Sequence, residues 1–163
     1  MTPVRTDFSR LLRVLLDASV EFILVGGVAG TLHGAARATY DIDVVYRRSP
    51  ENMSRLVAAL GPYAPYLRGA PAGLPFSFDV VTLRQGLNFT LTTTLGDIDL
   101  LGEITGGGAY DDLLAQSASI PLLGTICQCV TLDGLIRLKR AAGRPKDLEA
   151  IAELEALRAE SGQ

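Results

Sequence analysis

The sequence predicts an α/β fold in which helices pack on a mixed sheet and the chain closes in helices. Three observations carry this expectation. Strand-length apolar runs alternate with segments of helical periodicity; glycine and proline clusters separate them at short intervals; and residues 131–160 are helical in pattern apart from one Gly-Arg-Pro break.

The elements follow in order. In DFSRLLRVLLDA (7–18), Phe8, Leu11, Leu12, Leu15 and Leu16 recur at helical spacing, which predicts an amphipathic opening helix. EFILVGG is a short apolar strand entering a glycine pair, VAGTLHGAAR a short helix, and DIDVVY a strand with alternating carboxylates. Ser49-Pro50 opens a helix, with Ser as N-cap and Pro at the first position; Met53, Leu56, Val57 and Leu60 continue it to Gly61-Pro62. Residues 61–77, with four of the eight prolines, predict a loop or flap followed at once by strand. NFTLTTTLGDIDLLGEI predicts two strands hinged at Gly96, YDDLLAQS a short helix, and SIPLLG and TICQCV two further strands. TLDGLIRLKRAAG and KDLEAIAELEALRAE complete the chain as helices, the last packed down by Leu148, Ile151, Leu154 and Leu157, with Glu149, Glu153, Glu155 and Glu160 on an exposed face.

Composition bounds the function. The 163 residues fit one domain, 1–163, with 131–160 as its helical C-terminal segment. The apolar share of 48% is that of a globular chain, and the longest apolar stretches, such as Phe22–Val25, are strand-sized, so no membrane partner is expected. MTPVRTDFSR is followed by no apolar h-region, so a cytoplasmic location is expected. A net charge of -3 argues against a broad basic surface wrapping long nucleic acid. Cys127 and Cys129, two apart on a strand, face one side in a poor geometry for a disulfide, and no second Cys/His cluster suggests zinc. They are expected to be small core residues.

The chemistry concentrates in glycines and aspartates. Gly26-Gly27 directly follows a strand and precedes a helix, where the missing Cβ permits a sharp turn and close ligand approach. Glycine pairs end strands for structural reasons more often than not. The position two after Gly26 is Val28, which excludes a G-x-G-x-x-G fingerprint, and the absence of lysine before Lys139 excludes a P-loop. Asp41 and Asp43 share one strand face while Ile42 and Val44 share the other. Two carboxylates so close raise each other's pKa, and a hard divalent cation, Mg²⁺ or Mn²⁺, is the natural compensation. Alone, the pair is more simply the polar face of an edge strand. Asp97 and Asp99 repeat the pattern, and an adjacent strand could set one of them against the first pair. Three carboxylates around two cations are what two-metal phosphoryl chemistry requires.

Together, LVGGVAGTLHGAARATYDIDVV, the GxxDLLGE-like strand and LIRLKRAAGRPKDL resemble the DNA polymerase beta-like nucleotidyltransferase superfamily, in its compact bacterial branch related to abortive-infection nucleotidyltransferase toxins. The resemblance spans roughly residues 10–155. It implies the nucleotidyltransferase fold, with a mixed, mostly antiparallel sheet, and transfer of a nucleoside monophosphate from a nucleoside triphosphate, such as ATP, to an acceptor. Gly26 and Gly27 would embrace the triphosphate, Asp41 and Asp43 would be metal ligands and catalytic, and Asp99 would be the third catalytic carboxylate and metal ligand. DLLGE is the recurring part, which favours Asp99, with Asp97 the alternative. Arg37 and Thr39 would lie beside the nucleotide, and Lys139 would contact phosphate. Arg140, Arg144 and Lys146 are candidates for holding a polyanionic acceptor.

No counterpart is expected of the large helical domain through which bigger relatives grip transfer RNA, which leaves the acceptor as RNA, protein or small molecule, and a cognate antitoxin as a candidate partner. Three functions follow: an active transferase, in one version a toxin; a nucleotide-binding module without turnover; or an interaction protein that keeps only the fold. Intact Asp41, Asp43 and Asp99 favour the first. His33, the only histidine, is expected to pack against the glycine turn rather than bind a ligand.

Overall fold

Local sequence sets most element boundaries in the computed structural model, which describes residues 5–36 and 39–161. Asp7 caps helix α1 (Phe8–Asp17) by accepting from the Arg10 amide, and α1 turns Leu11, Leu12 and Leu15 into the core. Strand β1 (Phe22–Val25) is buried at every position and runs straight into α2 (Gly26–Leu32). The helix therefore begins on the glycine pair itself, two residues earlier than the sequence pattern predicts. Strand β2 (Asp41–Tyr46) alternates half-buried aspartates with buried Ile42 and Val44. Ser49 caps α3 (Pro50–Leu60) as expected, and a 3-10 turn at Gly61–Tyr63 follows.

Beyond it the expectation of a loop leading directly to strand is incomplete. Residues Tyr66–Leu67 form a two-residue strand, β3, and Asp79 caps a short helix, α4 (Val80–Gln85), before the next strand begins. Strands β4 (Asn88–Thr93) and β5 (Gly96–Leu101) form the hairpin hinged at Gly96. A small ribbon, β6 (Glu103–Ile104) with β7 (Gly108–Ala109), leads to α5 (Tyr110–Leu113), and β8 (Ser117–Leu122) and β9 (Thr125–Val130) form a second hairpin. Helices α6 (Leu132–Ala142) and α7 (Pro145–Glu160) close the fold, packed on each other.

The sheet has seven strands in the order β3-β4-β5-β2-β1-β9-β8. It is antiparallel except at β2–β5 and β1–β9, so the sheet is mixed and mostly antiparallel as predicted. Leu24, Ile42, Ile98 and Leu100 are fully buried along its centre. Cys127 and Cys129 are buried, free thiols, pushed up to about 11 and about 12 by desolvation, and so are inert core residues as expected. His33 donates from Nε2 to the Val130 carbonyl at 2.8 Å and ties the end of α2 to the end of β9, a structural role.

Two expectations about α7 need correction. Leu148 is 59% exposed, whereas Asp147, Ala150, Ile151 and Leu154 form the buried face. The acidic face is not simply solvated: Glu153 accepts from the Ala36 amide, and Glu155 pairs with Arg140. Among the described residues no helix is long and apolar enough to cross a membrane.

One buried polar side chain holds the two central strands in place. Asn52 is fully buried on α3; its Oδ1 accepts from the Glu21 amide at 2.6 Å, and its Nδ2 donates to the carbonyls of Glu21 (2.9 Å) and Arg47 (2.8 Å). It thus clamps the start of β1 to the end of β2. Asn52→Ala leaves the Glu21 amide and the Arg47 carbonyl without this partner, while the Glu21 carbonyl keeps the Arg47 amide at 3.1 Å. The loss should cost about 2–4 kcal/mol, measured as a lower urea midpoint, and an unchanged midpoint would show that the clamp is dispensable.

Candidate active site

The site grows from a register. Parallel pairing of β2 with β5 sets Asp43 beside Asp99 and Asp41 beside Asp97, all four on one sheet face. One oxygen each from Asp41, Asp43 and Asp99 lies within 4.8 Å of the others. Asp97 shares the face but is not part of this group.

Gly26 closes the cluster from the β1 side. Val25 pairs with Asp43 across the antiparallel β1–β2 ladder, and the next residue must turn sharply into α2. Gly26 does so at φ +69°, and a Cβ there would stand 2.0 Å from the Asp43 Oδ2. Both backbone conformation and space therefore require glycine. At Gly27 a Cβ would stand 2.6 Å from the Thr39 hydroxyl, which itself donates to the Asp41 carbonyl at 3.2 Å.

Crowding shows in the electrostatics. Burial, then the charge of Asp41 and contact with Asp99, push the Asp43 carboxyl up to about 8, against partial relief from Lys139. Asp41 is also raised, by burial and then by Asp99, with relief from Arg68. In the absence of a bound cation, the cluster holds a proton near neutral pH. Hard, clustered carboxylate oxygens with excess negative charge are the donor set that suits Mg²⁺ or Mn²⁺.

Lys139 approaches from the C-terminal helices. Its Nζ lies 3.3 Å from Oδ1 of Asp147, which is fully buried and also accepts from Arg144 Nε (2.6 Å), Arg144 Nη2 (3.1 Å) and the Arg144 amide (3.2 Å). Burial alone would raise Asp147, but these hydrogen bonds, first those from Arg144, hold it below the usual carboxylate range. The GRPKD turn is thus a clamp that fixes Lys139 and the start of α7 together.

A cleft of about 910 Å³ joins these parts, lined by Gly26, Gly27, Asp41, Asp43, Asp99, Lys139, Arg144 and Lys146 among others. Its size suits a nucleotide. Thr39 packs on Gly27 rather than lining the cleft, Arg140 is engaged with Glu155, and Arg37 lies outside the described residues. Sequence reasoning missed Tyr40, Asn88, Glu103 and Arg68. Tyr40 lines the cleft, 79% exposed, and its place directly before the DID strand was an available signal. Asn88 accepts from the Gly102 amide beside Glu103, and both line the cleft. Arg68, between a two-residue strand and a Pro/Gly-rich loop, carries no motif that could have announced it.

No family model matches the chain, and no curated protein does. Solved structures do. A putative nucleotidyltransferase (TM1012) from Thermotoga maritima superposes with a TM-score of 0.53 at 14% identity, over 96% of this chain and 93% of that one. ANT(2″)-Ia, in complex with adenylyl-2″-tobramycin, superposes with a TM-score of 0.53 at 14% identity, over 94% of this chain and 93% of that one. At this identity the likeness is one of architecture: the chain has the nucleotidyltransferase fold.

The raised Asp43 gives a pH signature. Protonated Asp43 favours the metal-free fold, and that advantage is full at or below the ordinary carboxylate range. It is lost progressively as the pH climbs to about 8. Asp43→Asn, neutral throughout, should therefore melt several degrees above wild type at pH 8 without metal, with the gap closing towards pH 4. Equal slopes of Tm against pH for the two proteins would refute the crowding.

Proposed function

We propose that this chain is a metal-dependent nucleotidyltransferase that moves a nucleoside monophosphate from a nucleoside triphosphate to an acceptor. The observation that carries the proposal is the convergence of Asp41, Asp43 and Asp99 beside the Gly26-Gly27 turn, in one cleft with Lys139. An acceptor oxygen attacks the α-phosphorus, and pyrophosphate leaves. Asp41, Asp43 and Asp99 would hold two Mg²⁺ or Mn²⁺ ions. Such ions supply charge neutralisation of the triphosphate and acidify the acceptor hydroxyl. The chain contributes mainly position and charge. The glycines at the start of α2 let phosphate approach the backbone, Asp99 helps take up the acceptor proton, and Lys139 presents a compact positive charge to the phosphates. Arg37 would complete the nucleotide side, with Thr39 supporting the Gly27 turn from behind.

On this proposal 1–163 is one nucleotidyltransferase domain, with 131–160 as its helical C-terminal segment, acting in the cytoplasm. ATP is a candidate donor. A toxin role with a cognate antitoxin rests on the C-terminal segment's resemblance alone, so the identity of the labelled product decides it. A binding module without turnover is the second reading, and it shares the cleft but not the product.

The direct test is incubation with each α-labelled NTP, Mg²⁺ or Mn²⁺, and cell extract, followed by identification of what becomes labelled. Label should enter a discrete product. Asp41→Asn, Asp43→Asn and Asp99→Asn should each lower transfer by about a hundredfold or more, while Asp97→Asn at saturating metal should keep substantial activity. NTP binding without transfer would point to the binding module, and wild-type turnover in any of the first three variants would overturn the ligand assignment.

Lys139 allows a separate test without acceptor. In calorimetric titrations of NTP, Lys139→Ala should raise Kd by about tenfold, as expected for loss of a charge-assisted contact. Equal affinities would make the lysine structural or acceptor-facing.

A further inference from the structure

Four aspartates face the site, three of them form the candidate metal cluster, and among the described residues Arg68 is the arginine that reaches the fourth, Asp97. Arg68 continues β3: its amide donates to the Thr90 carbonyl at 3.0 Å, in line with the β3–β4 register. Thr90 pairs with Asp99, and Asp99 with Asp43. One row across the sheet therefore reads Arg68, Thr90, Asp99, Asp43, and puts the arginine on the carboxylate face. Its guanidinium stands 2.9 Å from Asp99 (Nη2–Oδ1), 3.4 Å from Asp97 (Nε–Oδ2) and 3.6 Å from Asp41 (Nη1–Oδ2).

The contact is electrostatic without being well bonded. Nη2 makes its hydrogen bond to the Leu91 carbonyl at 2.7 Å. Arg68 Nε and Asp99 Oδ1 are buried and have no aligned hydrogen-bond partner. A guanidinium that serves as a permanent partner for carboxylates frequently makes parallel, bidentate bonds. Here it supplies charge at the right place while leaving the Asp99 oxygen poorly satisfied. Of its three carboxylates, two, Asp41 and Asp99, are in the metal cluster and one, Asp97, is outside it.

We infer that Arg68 is the resident cation of the metal-free site and that Asp97 is the carboxylate that retains it when a divalent ion takes Asp41 and Asp99. This inference rests on the proposed metal site and assigns Asp97 a role that metal ligation does not give it. Arg68 competes with the first cation for Asp99. Asp97 lowers the cost of that displacement, because the guanidinium keeps a partner a few ångströms away instead of being left unpaired over the sheet. Both are positioning residues: neither is placed on substrate or reacting atoms. The edge position of β3, paired with β4 alone, leaves the side chain free to shift without breaking the sheet.

The test is equilibrium Mn²⁺ binding to the full chain without nucleotide, read from the free-Mn²⁺ electron paramagnetic resonance signal, for wild type, Arg68→Gln, Asp97→Asn and the double variant. Arg68→Gln should bind about tenfold tighter and Asp97→Asn about tenfold weaker. In the double variant Asp97→Asn should weaken binding by no more than about threefold relative to Arg68→Gln, the non-additivity expected of interacting groups. Simple charge removal gives the same Asp97→Asn factor in both backgrounds, so additivity overturns the inference while leaving the metal site standing. Unchanged or weaker binding in Arg68→Gln overturns it too. If no protein, wild type included, binds Mn²⁺, the metal-site proposal fails and this inference fails with it. Circular dichroism checks folding, and Arg68→Met, which keeps the aliphatic stem, is scored identically if Arg68→Gln does not fold.

Discussion

Parallel pairing of β2 with β5 forces Asp43 against Asp99, and the structure around the site is arranged as a response to that crowding. Two unit charges 4 Å apart repel by about 1 kcal/mol in water and about 4 kcal/mol at the effective dielectric of a protein surface. Three fully ionised carboxylates within 4.8 Å, partly withdrawn from water and left without compensation, would therefore repel by several kcal/mol, a large fraction of the stability of a small domain. Two cations offer relief, the guanidinium of Arg68 and the ammonium of Lys139, and the raised pKa of Asp43 favours a proton as a third. None matches what a compact divalent ion offers, which is concentrated charge and several coordination positions at once.

The backbone contributes as much as the side chains. Gly26 makes room for the Asp43 carboxylate and turns the chain from a fully buried strand directly into a helix. Because there is no intervening loop, the carboxylate and the helix start stand side by side. On the opposite wall Asp147 does comparable work from within the protein. Fully buried and held by Arg144, it fixes a lysine that would otherwise lose considerable side-chain entropy on meeting a ligand.

Much of this was legible in the residues themselves. Period-two alternation put Asp41 with Asp43 and Asp97 with Asp99 on one face, Ser49-Pro50 fixed the start of α3, and the C-terminal helices followed from their spacing. What alternation cannot supply is register between strands distant in sequence. The crossover through α3, β3, α4 and β4 decides that Asp99, not Asp97, lies opposite Asp43. Arg68 was illegible for the same reason, since only strand order brings it to the aspartates. Leu148 was misplaced because apolar spacing alone ignores Asp147. Burying that ion-paired carboxylate rotates α7 so that the neighbouring leucine points outward.

The parallel pairing of β1 with β9 has a consequence for biosynthesis. Residues 26–124 lie between these two strands, so on a translating ribosome the FILV strand emerges long before its neighbour on that side. Until residues 125–130 are made, β1 presents an open apolar edge, the kind of surface on which nascent chains associate with one another. Chaperone capture during synthesis would protect this segment above others, and slowing translation between the two strands would lengthen its exposure.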